Sequence, residues 1–88
     1  MLKLDFKKSA IKFFDDIPAK QFRQIFKKLL LLLKDPYPAD SSQLKGDDAY
    51  RVDVGEYRII YEVEGSVLYV FAIGKRNDSE VYRKYLRK

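Results

Sequence analysis

The stretch Tyr50-Arg51-Val52-Asp53-Val54-Gly55-Glu56-Tyr57-Arg58-Ile59-Ile60-Tyr61-Glu62-Val63 constrains this chain more than any other. It reads as two strands joined by the two-residue turn Gly55-Glu56. Glycine in the first turn position suits a type II′ hairpin, because it takes positive φ without steric cost. The turn sets the register. Val54 faces Tyr57, Asp53 faces Arg58, Val52 faces Ile59 and Arg51 faces Ile60. Side chains alternate along each strand. One face therefore carries Val52, Val54, Tyr57, Ile59 and Tyr61, a core set. The other carries Arg51, Asp53, Arg58, Ile60 and Glu62, a working surface.

The remaining elements follow from periodicity. Leu2-Lys3-Leu4-Asp5-Phe6 alternates and is a first strand. Lys7 to Asp15 has Ala10, Phe13 and Phe14 at helical spacing, and the helix must stop before Ile17-Pro18. Pro18 opens a second helix, where its missing N–H costs nothing. Phe22, Ile25, Phe26, Leu29, Leu30 and Leu33 form its apolar stripe, and Lys34 ends it. Asp35 to Ala49 reads as a long loop, marked by Pro36, Pro38, Ser41, Ser42 and Gly46. Such length in so small a domain points to a working loop. Val67 to Ile73 is apolar and β-branched, a central strand. Asp78 or Ser79 caps a last helix from Glu80 to Arg87. The expected fold is α+β: a small antiparallel sheet packed against helices, in the order β-α-α-β-β-β-α, with residues 1–88 forming one domain.

Composition narrows the chemistry. The chain has no cysteine and no histidine. Thiol nucleophiles, thiolate metal sites and the commonest general base are therefore excluded. Catalysis would run on Lys, Arg, Tyr, Asp or Glu, with neither metal nor cofactor expected. The longest apolar run, Leu29–Leu33, is too short to span a bilayer. The start of the chain lacks the form of a signal peptide, so a cytoplasmic location with no membrane partner is expected. Net charge is +5 but uneven. Residues 1–34 hold nine basic and three acidic side chains, 35–74 three and eight, and 75–88 six and two. If the two ends meet in the fold, they make a basic surface suited to phosphate.

Arg51 and Arg58 share a hairpin face. Lys75 and Arg76 follow the next strand, and Tyr82 lies in the first turn of the last helix. Guanidinium groups and a phenol fit phosphodiester chemistry by positioning and charge stabilisation. RNA suits such a set, because its 2′-OH is a built-in nucleophile. An exposed sheet face dotted with charges accounts for the same residues.

Leu44-Lys45-Gly46, Tyr50-Arg51-Val52, Tyr57 to Val63, Ile73-Gly74-Lys75-Arg76 and Glu80-Val81-Tyr82 together resemble the RelE/ParE toxin superfamily, most closely its RelE-like branch. That branch comprises ribosome-dependent messenger-RNA interferases of type II toxin–antitoxin pairs. The resemblance implies cleavage of mRNA in the A site of the 70S ribosome, leaving a cyclic phosphate, and control by a cognate antitoxin protein. By position it makes Arg51 the basic residue acting on the 2′-OH. It makes Arg58 the stabiliser of the scissile phosphate and Arg76 a second arginine near the phosphate and leaving group. It makes Tyr82 the tyrosine that orients or stacks on the nucleotide. Lys45 would touch ribosomal RNA, and Lys75 and Arg83 are further RNA-binding positions.

Two residues depart from the pattern. Arg51 replaces a lysine, and arginine stays protonated, so it is a poor base. Asp53 stands where relatives are basic, directly across from Arg58, and is expected to modulate the site. Two other readings stand beside the nuclease. One is a ParE-like toxin that inhibits DNA gyrase without cutting nucleic acid. The other is a degenerate relative that only binds its antitoxin.

Overall fold

Alternation and turn chemistry produce the centre of the fold as expected. The computed structural model describes residues 1–77 and 79–86. Strands β3 (Tyr50–Val54) and β4 (Tyr57–Glu64) pair antiparallel, with Val54 opposite Tyr57, Asp53 opposite Arg58 and Val52 opposite Ile59. Gly55 has φ 58°, and no residue type other than glycine has positive φ among those described. That combination is the type II′ pattern. β5 (Val67–Lys75) pairs antiparallel with β4. A bulge between Ile60 and Tyr61 leaves Phe71 as the extra residue on β5.

Three features depart from the expected sheet. β1 (Lys3–Phe6) joins the other edge of β5 in parallel, so the sheet is mixed. The span read as one irregular loop contains a short strand, β2 (Ser41–Gln43), antiparallel to β3. The sheet order is β1-β5-β4-β3-β2. The face assigned to work is also partly roofed. The last helix, α3 (Glu80–Leu86), lies on it, and Ile60 is fully buried there with Ala49, Ala72, Val81 and Tyr85. The cap expected at Asp78 and the helix end expected at Arg87 lie outside the described residues. Ser79 takes part through its backbone carbonyl, which accepts hydrogen bonds from the N–H groups of Tyr82 and Arg83.

Helices α1 (Lys8–Asp15) and α2 (Ala19–Lys34) cover the other face. Ile25, Leu29, Leu32 and Leu33 from α2 pack with Ala10 of α1 on Val52, Ile59, Tyr61, Leu68, Val70 and Ile73. The buried arc is turned slightly from the expected one. Leu32 is buried, whereas Leu30 is 47% exposed and Phe22 37%. Phe22 instead stacks on Phe26 and meets Phe14 edge-on. Positions 25, 29, 32 and 33 are spaced i, i+4, i+7, i+8, a helical face in its own right.

Tyr61 shows how this core closes over polar groups. Its hydroxyl donates to the Pro36 carbonyl at 2.7 Å, pinning the chain after α2 to the sheet. Burial pushes its pKa up from 10.0 to about 12. A phenol with a raised folded pKa contributes stability that is complete below pH 10 and is lost as pH rises through 12. Tyr61→Phe should lower stability at pH 7 by about 1 kcal/mol, through the lost hydrogen bond. It should also flatten the decline of stability between pH 10 and 12. Urea unfolding at both ends of that window measures both effects.

Candidate nucleotide-binding site

The site grows from the cross-strand pair that the hairpin register creates. Asp53 and Arg58 stand opposite each other on the face beneath α3. Arg58 Nε donates to Asp53 Oδ1 at 2.7 Å, and Nη2 donates to Oδ2 at 3.2 Å. This is a two-bond fork, the strong form of an arginine–carboxylate contact. Arg58 Nη1 donates to the Tyr82 hydroxyl at 2.5 Å. Tyr82 reaches it because α3 can sit close to the sheet. Gly74 has no side chain there, and a Cβ on it would lie 3.1 Å from Val81 Cβ.

Electrostatics bind more residues to this cluster. The hydrogen bond from Arg58 holds the Asp53 carboxyl below its ordinary range, with Arg51 and Arg76 adding to the effect. The same bond holds Arg58 still more firmly protonated, and Tyr82 assists. Arg51 and Tyr82 are half-buried, and Arg76 is exposed just beyond β5. The Arg76 backbone N–H donates to the Glu56 carbonyl at 2.9 Å, which ties the end of β5 to the hairpin turn. Arg51, Asp53, Arg58, Arg76 and Tyr82 therefore share one neighbourhood.

The other basic positions lie apart from it. Lys45 is exposed on the loop between β2 and β3, and Arg83 is exposed on α3. Lys75 pairs with Tyr57, so it belongs to the face opposite Arg58. At the end of β5 it lines a groove of about 1210 Å³ between α1 and α3, with Lys7, Lys8, Lys12, Lys84, Phe13 and Tyr57. Nothing in the local sequence pattern singles out those four lysines. Only the fold brings the start of α1 beside the end of β5.

A second unforeseen contact fixes the roof. The Tyr85 hydroxyl donates to Asp47 Oδ2 at 2.5 Å, tying α3 to the loop that carries Lys45. Tyr85 follows Tyr82 by three residues and Val81 by four, so one helix face anchors and the adjoining one reaches Arg58. Among the described residues no group of three or more His, Cys, Asp or Glu could hold a metal ion. No helix among them is long and apolar enough to cross a membrane.

Comparison with known proteins agrees with this architecture. A family model described as the ParE toxin of the type II toxin–antitoxin system parDE matches residues 4–80. The chain is 32% identical to the mRNA interferase toxin RelE of Escherichia coli K12 over 90 aligned positions, covering 97% of this chain and 94% of that protein. Its fold is similar to that of an E. coli RelE variant with two arginines changed to alanine, in the free state. The TM-score there is 0.82 at 30% identity, covering 98% of this chain and 95% of the other. It is also similar to a chain of the intact E. coli RelBE toxin–antitoxin complex, with a TM-score of 0.75 at 30% identity over 85% of this chain and 96% of that one. A family model spanning most of the chain, a full-length relative and a shared fold give one answer: the chain belongs to the RelE/ParE toxin superfamily, in its RelE-like branch.

Proposed function

We propose that this protein is the toxin of a type II toxin–antitoxin pair and an endoribonuclease that cuts mRNA in the ribosomal A site. The observation that carries the reading is the Arg58–Tyr82 contact, with Arg51 and Arg76 acting on the same carboxylate. Arg58 and Tyr82 touch, and Arg51 and Arg76 are near enough to act on Asp53, which supports a place for a nucleotide and its phosphate against the sheet beside α3. Resemblance to the E. coli mRNA interferase toxin supports the substrate class.

In this reaction the 2′-oxygen attacks the adjacent phosphorus and the bond from phosphorus to the 5′-oxygen breaks, leaving a 2′,3′-cyclic phosphate. The 2′-hydroxyl proton leaves to solvent or to a ribosomal group, and the departing 5′-oxygen gains one. Arg58 and Arg76 stabilise charge on the phosphate and leaving oxygen, Arg51 stabilises the 2′-oxyanion, and Tyr82 stacks on or orients the nucleotide. Lys45, Lys75 and Arg83 hold RNA backbone further out. None of these groups is a good base at neutral pH, so alignment must come largely from the ribosome. A cognate antitoxin is the expected protein partner, and the likeness to a chain of the RelBE complex supports it.

An mRNA with 2′-deoxynucleotides through the A-site codon tests this chemistry. The reading expects that message to survive intact while the all-ribose message is cut to a cyclic phosphate end. Equal cutting of both messages would rule out attack by the 2′-oxygen. The match to a ParE family model favours one second reading, a toxin that does not cut RNA. Under that reading both messages survive.

A further inference from the structure

The proposed cleavage chemistry gives Asp53 no part, yet its carboxylate stands inside the site. A guanidinium has five N–H donors. Two of those on Arg58 go to Asp53 and one goes to Tyr82. Two remain, one on Nη1 and one on Nη2. Arg58 is thus held on two sides, and its plane cannot rotate without breaking a bond to one neighbour or the other. The Asp53 side chain is 37% exposed and that of Arg58 15%. With the carboxylate partly open to water, the pair adds little to stability. Its consequence is geometric.

We infer that Asp53 is the positioning residue of the phosphate site. It fixes the plane of Arg58 and, through Arg58, the hydroxyl of Tyr82, so that the two remaining guanidinium donors meet one phosphate in a preset geometry. The inference rests on the endoribonuclease reading for the identity of that phosphate. It has a second consequence. Asp53 cancels the net charge of Arg58, so attraction for the phosphate comes mainly from Arg51 and Arg76. Removing the carboxylate therefore strengthens binding and slows the reaction. A merely structural residue, or a merely repulsive one, does not move these two quantities in opposite directions.

The test compares the parent protein with Asp53→Asn, Asp53→Glu, Tyr82→Phe and the Asp53→Asn/Tyr82→Phe double variant. Affinity for programmed ribosomes carrying a message with a 2′-deoxy A-site codon is measured against salt. Single-turnover cleavage is measured on the all-ribose message. Asp53→Asn should bind tighter, with a salt slope steeper by roughly 0.7–0.9 for one added net positive charge. It should cleave roughly tenfold to a hundredfold more slowly, the scale of a misplaced catalytic group. Asp53→Glu should recover part of the rate. The double variant should be no slower than Asp53→Asn alone, because both changes break one chain of contacts. Faster cleavage by Asp53→Asn would overturn the inference and make Asp53 only an opposing charge. An unchanged rate, or parallel loss of binding, cleavage and urea midpoint, would overturn it equally.

A separate measurement does not depend on catalysis. In the parent, NMR should show the Arg58 Nε–H proton exchanging slowly with water, and Asp53→Asn should speed that exchange. If the parent fails to cleave but this proton behaves as expected, the nuclease reading falls and the positioning stands. If the exchange is the same in both proteins, Asp53 does not hold Arg58 and the inference fails.

Discussion

Replacing Arg58 with alanine should lower single-turnover cleavage on programmed ribosomes by roughly 10²–10³, the usual cost of removing a group that meets charge developing in the transition state. The loss has two parts. The phosphate would lose the two remaining guanidinium donors proposed to meet it, and Tyr82 loses its contact with Arg58 Nη1. Arg58→Lys recovers little, because one ammonium cannot span both Asp53 oxygens and Tyr82 in a fixed plane. The fold survives the change. The Asp53 left behind is open to water, so it becomes a hydrated carboxylate rather than a buried unpaired charge. Unfolding midpoints close to the parent's, together with the large rate loss, separate chemistry from stability. A rate within a factor of about three of the parent's, far short of the loss expected for a stabilising group, would remove Arg58 from the site.

Replacing Leu29 with alanine should destabilise the protein by about 2–5 kcal/mol, a large share of the roughly 5–15 kcal/mol that holds a domain together. Leu29 is fully buried against the sheet among Ile25, Leu32, Val52, Ile59 and Tyr61. The space left by its side chain cannot be filled without moving α2. Leu31, two positions on, is 61% exposed, and its change to alanine should cost within about 0.5 kcal/mol. Chemical denaturation of the two variants therefore reads the phase of α2 directly. Similar costs at both positions would mean that the buried arc lies elsewhere.

That phase marks the limit of what the sequence could reveal. A hairpin with strict alternation and a glycine turn permits one register, so the Asp53–Arg58 pair is legible in the chain alone. Tyr82 is legible too, because a first-turn residue cannot stray far from the strand end that precedes it. A run of five leucines carries no internal contrast, so Leu30 and Leu32 cannot be told apart. β2 is hidden for a different reason. Its residues, Ser41, Ser42 and Gln43, are polar and lie at the sheet edge, where alternation is not required. The parallel pairing of β1 with β5 joins strands separated in the chain by two helices and three strands, which local pattern does not encode.

Within the site, the features that sequence does not reveal share one cause, long-range packing. Lys75 falls on the far side of the sheet because it pairs with Tyr57. The bulge at Ile60/Tyr61 makes that pairing hard to count from the turn. The Tyr85–Asp47 contact joins residues far apart in the chain, and neither belongs to a motif. Ile60 reads as a surface residue because alternation names a face without saying what covers it. Here α3 covers it, and the same helix brings Tyr82 to Arg58.

This constellation is expected to cut mRNA only when the ribosome presents it. Primer-extension mapping of a defined message, incubated briefly with the protein in the presence and absence of programmed ribosomes, tests it most directly. The expected result is a cut within the A-site codon when ribosomes are present, little or no cutting of the free message, and loss of the cut with Arg76→Ala. A message left intact on programmed ribosomes, or cut equally well by Arg76→Ala, would contradict it.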